Sequence, residues 1–375
     1  MSSMRCFHFV MVGGLLAGAA MAADKADVRE SAPAAAAVWN APAAAQYLDQ
    51  RLAWWENWNN SQRDQGAACV SCHTVLPIGL ARPTLRRTMH ETGVTAPEHQ
   101  MLDGVMRRVS LWNQAKPFYD DAKSGPGKTE GSRISEAVLN AVILANYDAE
   151  RGHLNNVTRA AFQAVWALQL RSGPDAGGWK WLNFHNSPWE ADESPYWGAT
   201  LVALAVGIAP DNLLKDPQIQ GNLELLRGYL EREYAAQPLE NRITLLWASG
   251  KWPALLAKEQ RGTLIDSFFS LQHEDGGWSL SSLGKFERYD HTPLETRSDG
   301  YATGIITLAL EEAGVPRTQP QLARAIAWLV ANQDQKEGLW AAYSVNKNRE
   351  LTSDTGRFMI DAATAYSALA LSEQH

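Results

Sequence analysis

Cysteine is nearly absent from this sequence, with three residues in 375: Cys6, Cys69 and Cys72. Phe7 to Ala20 is a short apolar run behind a single charge, Arg5, and it ends in Ala20-Met21-Ala22, a small-x-small pattern. That is the layout of a secretory signal peptide, residues 1–22, cut after Ala22, and Cys6 leaves with it. About 14 apolar residues are too few for the roughly 20 that a bilayer span needs. No later stretch is apolar enough to cross, so no integral membrane segment is expected after cleavage. The mature protein is expected to be periplasmic or otherwise secreted. Two remaining thiols in an oxidising compartment exclude a disulfide framework.

Basic runs are absent too. The chain has 34 Lys and Arg against 41 Asp and Glu, and with Arg5 lost the mature protein carries 33 against 41, a net charge of −8. Such a chain has no electrostatic grip on nucleic acid. Strand signals are scarce, and Gly, Pro, Asn and Asp cluster between apolar helical segments instead. Residues 23–43, rich in Ala and Pro, read as a flexible linker. That leaves 44–375 as a single domain.

What the chain does have is Cys69-Val70-Ser71-Cys72-His73. A redox or zinc Cys-x-x-Cys needs a thioredoxin-like context or a second ligand pair, and neither is visible. As a c-type haem attachment site, Cys69 and Cys72 form thioethers to the porphyrin and His73 ligates the iron. The histidine must follow at once, because the thioethers pin that turn beneath the ring. One haem c is therefore expected. The second axial ligand stays open. Met89, His90, His99, Met101 and Met106 follow closely in the chain; a methionine there would favour electron transfer, a vacant position oxygen or peroxide chemistry.

The repeats suggest the fold. Gln169 precedes Gly177-Gly178-Trp179, Gln272 precedes Asp275-Gly276-Gly277-Trp278, and Gln333 precedes Gly338-Leu339-Trp340. Each block lies between two apolar helical segments, and Ser194 to Ala205 aligns with Ser298 to Ala309. The pattern predicts about twelve helices, near 44–60, 77–91, 98–114, 132–148, 157–171, 195–208, 217–235, 239–249, 253–272, 299–313, 319–333 and 357–372. Six such pairs cannot each bury an apolar face alone and must stack. The expectation is an all-α protein, a closed α/α toroid of about six hairpins. In it Gln169, Gln272 and Gln333 would bond free backbone groups at helix ends, and Trp179, Trp278 and Trp340 would pack. This accounts for much of an unusual excess of 15 Trp over nine Phe.

These blocks resemble the QW repeats of squalene–hopene cyclases and related prenyltransferase-type repeat proteins, over roughly residues 157–372. The resemblance implies an α/α toroid. Class II cyclases of that family protonate an alkene with an Asp-x-Asp-Asp motif, from which the nearest sequence here, Asp120-Asp121, departs. The segment from Trp54 to Gly66 reads like the lead-in to such a block, with the haem motif standing where Gly-Trp would follow.

Candidate cavity residues are Glu136, Glu193, Asp299 and Asp361, placed near the starts of inner helices, with His185, Trp189, Tyr196, Trp197, His291 and Tyr301 near them. Together they suggest an aromatic-walled pocket for a hydrophobic, isoprenoid-like molecule; singly, the acids are more ordinary as helix caps. The functional expectation is a haem-dependent oxidoreductase with a periplasmic redox partner. The alternatives are a non-enzymatic electron carrier or docking protein, and a redox-neutral terpenoid cyclase or isomerase.

Overall fold

A computed structural model describes residues 38–372. The expected signal peptide and residues 23–37 of the expected linker lie outside them. Helix α1 (Ala41–Asn57) is followed by a tight hairpin of β1 (Gln62–Arg63) and β2 (Ala67–Ala68), then α2 (Val75–Thr88) and α3 (Ala96–Ser110). A single turn, α4 (Asp121–Ser124), leads into α5 (Lys128–Arg151). After it come α6 (Asn156–Ala167), α7 (Ser194–Ile208), α8 (Gln220–Glu233), α9 (Leu239–Lys251) and α10 (Lys258–Ser270). The last three are α11 (Gly300–Glu312), α12 (Pro320–Ala331) and α13 (Arg357–Ser372).

The ring closes. Helix α2 packs on α5, α5 on α7, α7 on α9, α9 on α11, α11 on α13, and α13 returns to α2. Helices α1, α3, α6, α8, α10 and α12 form the outer layer. Inner helices such as α7 and α11 are apolar on nearly every side, as full burial requires. Outer helices bury one stripe, Leu322, Ala325, Trp328 and Leu329 in α12. Neighbouring inner helices approach so closely that a Cβ on Gly250 would meet the Glu312 carbonyl oxygen at 1.9 Å.

The Gln and Trp residues do what their spacing implied. Trp179, Trp278 and Trp340 donate from Nε1 to the carbonyls of Val165, Phe268 and Leu329, at 2.9, 2.7 and 2.7 Å, near the ends of α6, α10 and α12. Each glutamine amide donates once to its own turn and once to the next outer helix or its cap: Gln169 to Asn222, Gln272 to Gln321, Gln333 to Asn40. The third of these joins the last outer helix to the first. It also corrects the linker boundary. Helix α1 starts at Ala41, capped by the Asn40 side chain, and Trp39 packs on Trp340, so residues 38–43 belong to the domain.

Each outer helix leads into an inner one, so all six inner helices run the same way. Long connections (58–74, 168–193, 271–299, 332–356) gather where the inner helices begin, and shorter ones join the opposite ends. Three of the long loops are tied together through Asn346, which bonds both the N–H and the carbonyl of Ser187 and accepts from the Tyr289 N–H. No described helix is long and apolar enough to cross a membrane.

Candidate functional site

The motif sits at this loop-rich mouth of the ring, between α1 and α2. The Cys69 N–H donates to the Ser61 carbonyl, and its own carbonyl accepts from Trp55 Nε1 at 2.7 Å. The Ser71 hydroxyl accepts from the N–H groups of Thr74 and Val75, satisfying donors that the start of α2 would leave free. Cys69 and Cys72 are buried, free thiols. Burial pushes Cys69 up to about 11 and Cys72 well above its usual value, so neither has the lowered pKa of a redox-exchange cysteine.

His73 is held from behind. Its Nδ1 lies 2.8 Å from Thr74 Oγ1, and that hydroxyl donates to Asp361 Oδ2 at 2.7 Å. Asp361 also accepts from Tyr47 at 2.8 Å and, in a two-pronged pair, from Arg51 Nε and Nη2 at 2.7 and 3.0 Å. Burial raises the Asp361 carboxyl on balance, against the opposing pull of the bonds from Arg51, Thr74 and Tyr47. The two-pronged bond from the Arg51 guanidinium favours the ionised carboxylate. The Thr74 proton therefore points at Asp361, and Thr74 accepts from His73 Nδ1–H. The imidazole lone pair is then on Nε2. Burial drives the His73 pKa down to about 3, helped by Arg51 and Arg349, so the ring is neutral at pH 7. A neutral imidazole held through one nitrogen in this way has its other nitrogen available to ligate a metal.

Aromatic rings surround the imidazole. Phe358 stacks on it at 3.8 Å, Trp55 meets it edge-on at 5.0 Å, and Trp189 lies 6.3 Å away. Two cavities flank the motif, of about 180 and 50 Å³, and both touch Cys72, His73 and Glu190. The donor set suits a covalently attached haem: two unpaired thiols and one oriented neutral imidazole. An iron–nitrogen bond lies in the imidazole plane, so a ring stacked on its face does not compete. Among the described residues, no group of three or more His, Cys, Asp or Glu side chains gathers to hold a bare ion.

The candidates for the second axial position are not brought here. Met89 and His90 follow α2 at the end away from His73, about 20 Å along a helix of this length. His99, Met101 and Met106 are on outer helix α3. None of the five lines either cavity.

The cavity residues are dispersed as well. Asp361 belongs to the site, as the anchor just described, and Trp189 lines the larger of the two cavities. Glu136 lies well inside α5 rather than at its start; it is buried, pairs with Arg108 at 2.6 and 2.8 Å, and touches the smaller cavity. Asp299 caps α11 through the Ala302 N–H, and burial raises it to about 6. Trp197 packs edge-on against Trp181, and Tyr301 against Trp189 and Tyr366. His185 and His291 are exposed on loops. Glu193 and Tyr196 line a separate groove of about 550 Å³, walled also by Glu130, Asp175, Asp192 and Glu233. The groove mixes these carboxylates with Trp179, Trp181 and Tyr229, so its walls are both acidic and aromatic. Asp120 and Asp121 have local structural roles, capping α4 and bonding the Thr129 N–H.

The chain matches no family model and no curated protein. Its fold is similar to that of a solved polysaccharide lyase. The two share 12% identity with a TM-score of 0.51, over 88% of this chain and 96% of that one. At that identity the likeness concerns the α/α toroid alone.

Residues that sequence reasoning missed are Thr74, Arg51, Tyr47, Glu190, Phe358 and Met359. Thr74 adjoins the motif; the others carry no local signal. Glu56, near the motif on α1, is raised to about 7 by burial. Between about pH 4.5 and 7 the folded chain holds a proton there that the unfolded chain releases, so stability falls as pH rises through that window. The shift corresponds to about 3 kcal/mol at most. Glu56→Gln is expected to raise the melting temperature at pH 8 and leave it unchanged at pH 4, in thermal melts across that range.

Proposed function

We propose that this protein is an exported c-type haem protein that transfers electrons, with one haem bound at the loop-rich mouth of the ring. Cys69 and Cys72 would hold it through thioethers and His73 Nε2 would ligate the iron. The observation that carries the reading is the buried motif with His73 Nδ1 tied through Thr74 to Asp361. When bound, the haem supplies a reversible one-electron centre. The chain's own part is to hold the imidazole in one tautomer and orientation and to keep bulk water off it with Phe358, Trp55 and Trp189. A redox partner in the same compartment would complete the reaction.

A second reading, a redox enzyme, is favoured by one observation. Trp181 walls both the smaller cavity beside the motif and the 550 Å³ groove. The groove's carboxylates suit a polar or cationic molecule better than an isoprenoid. The test is a reductive titration of protein matured in a periplasm. Reversible uptake of one electron per chain, with a haem spectrum, is expected; a colourless protein that takes up none would overturn the proposal.

A further inference from the structure

We infer that Met359 supplies the second axial bond to the iron, an assignment that rests on the haem reading of Cys69, Cys72 and His73. The first turn of inner helix α13 is set against the motif, with Phe358 stacked on the His73 ring at 3.8 Å and 20° between planes. The next residue, Met359, is buried and lines the same 180 Å³ cavity as Cys72 and His73. Cys72, His73 and Met359 all line this cavity, which brings a histidine and a thioether to one enclosed space beside the attachment cysteines.

The chemistry narrows the choice. With both cysteine sulfurs committed to thioethers, Met359 is the one soft donor lining either cavity. The other groups lining this cavity, amides, hydroxyls and the Glu190 carboxylate, are hard donors, and the Asn346 amide is already bonded to the Ser187 backbone. Methionine's unbranched side chain can swing its sulfur into place with little disturbance of the helix. A histidine–methionine pair raises the potential and closes the iron to exogenous ligands, which suits electron transfer rather than oxygen chemistry.

The experiment uses the full chain exported and matured with haem, as wild type, Met359→Leu and Met359→His, with covalent haem content measured on every sample. Leucine keeps the volume, so the fold is retained. Wild type is expected to be low-spin, with a ferrous form that does not bind carbon monoxide. Met359→Leu should become high-spin and bind carbon monoxide stoichiometrically. Met359→His should return to low-spin at a lower potential. Haem-loaded Met359→Leu with the wild-type spectrum and no carbon monoxide binding would overturn the assignment alone, as would a haem-loaded wild type that binds carbon monoxide freely. A wild type without covalent haem would overturn the reading beneath it as well.

Discussion

Replacing Cys69 and Cys72 together by serine is expected to abolish haem retention under denaturing conditions, from one haem per chain to none. Serine oxygens do not form thioethers, and a single histidine bond does not survive unfolding. The fold should persist. Both thiols are small and buried beside the motif, whereas the ring is held by the Gln and Trp contacts and by the packing of six inner helices. Circular dichroism of the double variant should therefore show native helicity, while a haem stain on a denaturing gel shows no band. Haem stain persisting in the double variant would mean that attachment runs through another residue.

Asp361→Ala should have the largest effect on stability. It removes the acceptor of four hydrogen bonds and leaves Arg51, itself buried, with only its looser pair to the exposed Asp354 at 3.5 Å. Breaking a buried pair in this way costs about 3–5 kcal/mol. The melting temperature should fall on the order of 10 °C. Because the same carboxylate fixes the Thr74 hydroxyl behind His73, the haem spectrum of any folded material should also change. A double-mutant cycle with Arg51→Ala separates the two effects, since the stability losses should be strongly less than additive while the spectral change persists. An Asp361→Ala protein that melts like wild type would show that the network is not what orders this corner of the ring.

Most of the fold was legible because the signals that build it are local. Every one of the twelve anticipated helices is present, with boundaries displaced by a few residues at most, since each is bounded by turn-forming residues and carries its own apolar pattern. The three Gln–Trp blocks could be read for the same reason. The site was legible at its centre and, in Asp361 and Trp189, at two residues around it. Cys69, Cys72 and His73 announce themselves by spacing, but Asp361 reaches Thr74 from 287 residues away, and nothing near it in the chain points to that contact. The choice of Met89, His90, His99, Met101 and Met106 rested on nearness along the chain, which the fold does not keep. They are close to His73 along the chain, yet helix α2 carries the first two away from it and the outer layer takes the others. Met359 lies far away in sequence and is brought in only by closure of the ring, when α13 packs on α2.

The measurement that bears most directly on the central claim is the intact mass, under denaturing conditions, of wild-type protein secreted through a haem-maturing pathway. The account predicts one species, the chain cut after Ala22 plus a single haem. A mass equal to the bare chain, or one lighter by two hydrogens from a Cys69–Cys72 disulfide, would contradict it.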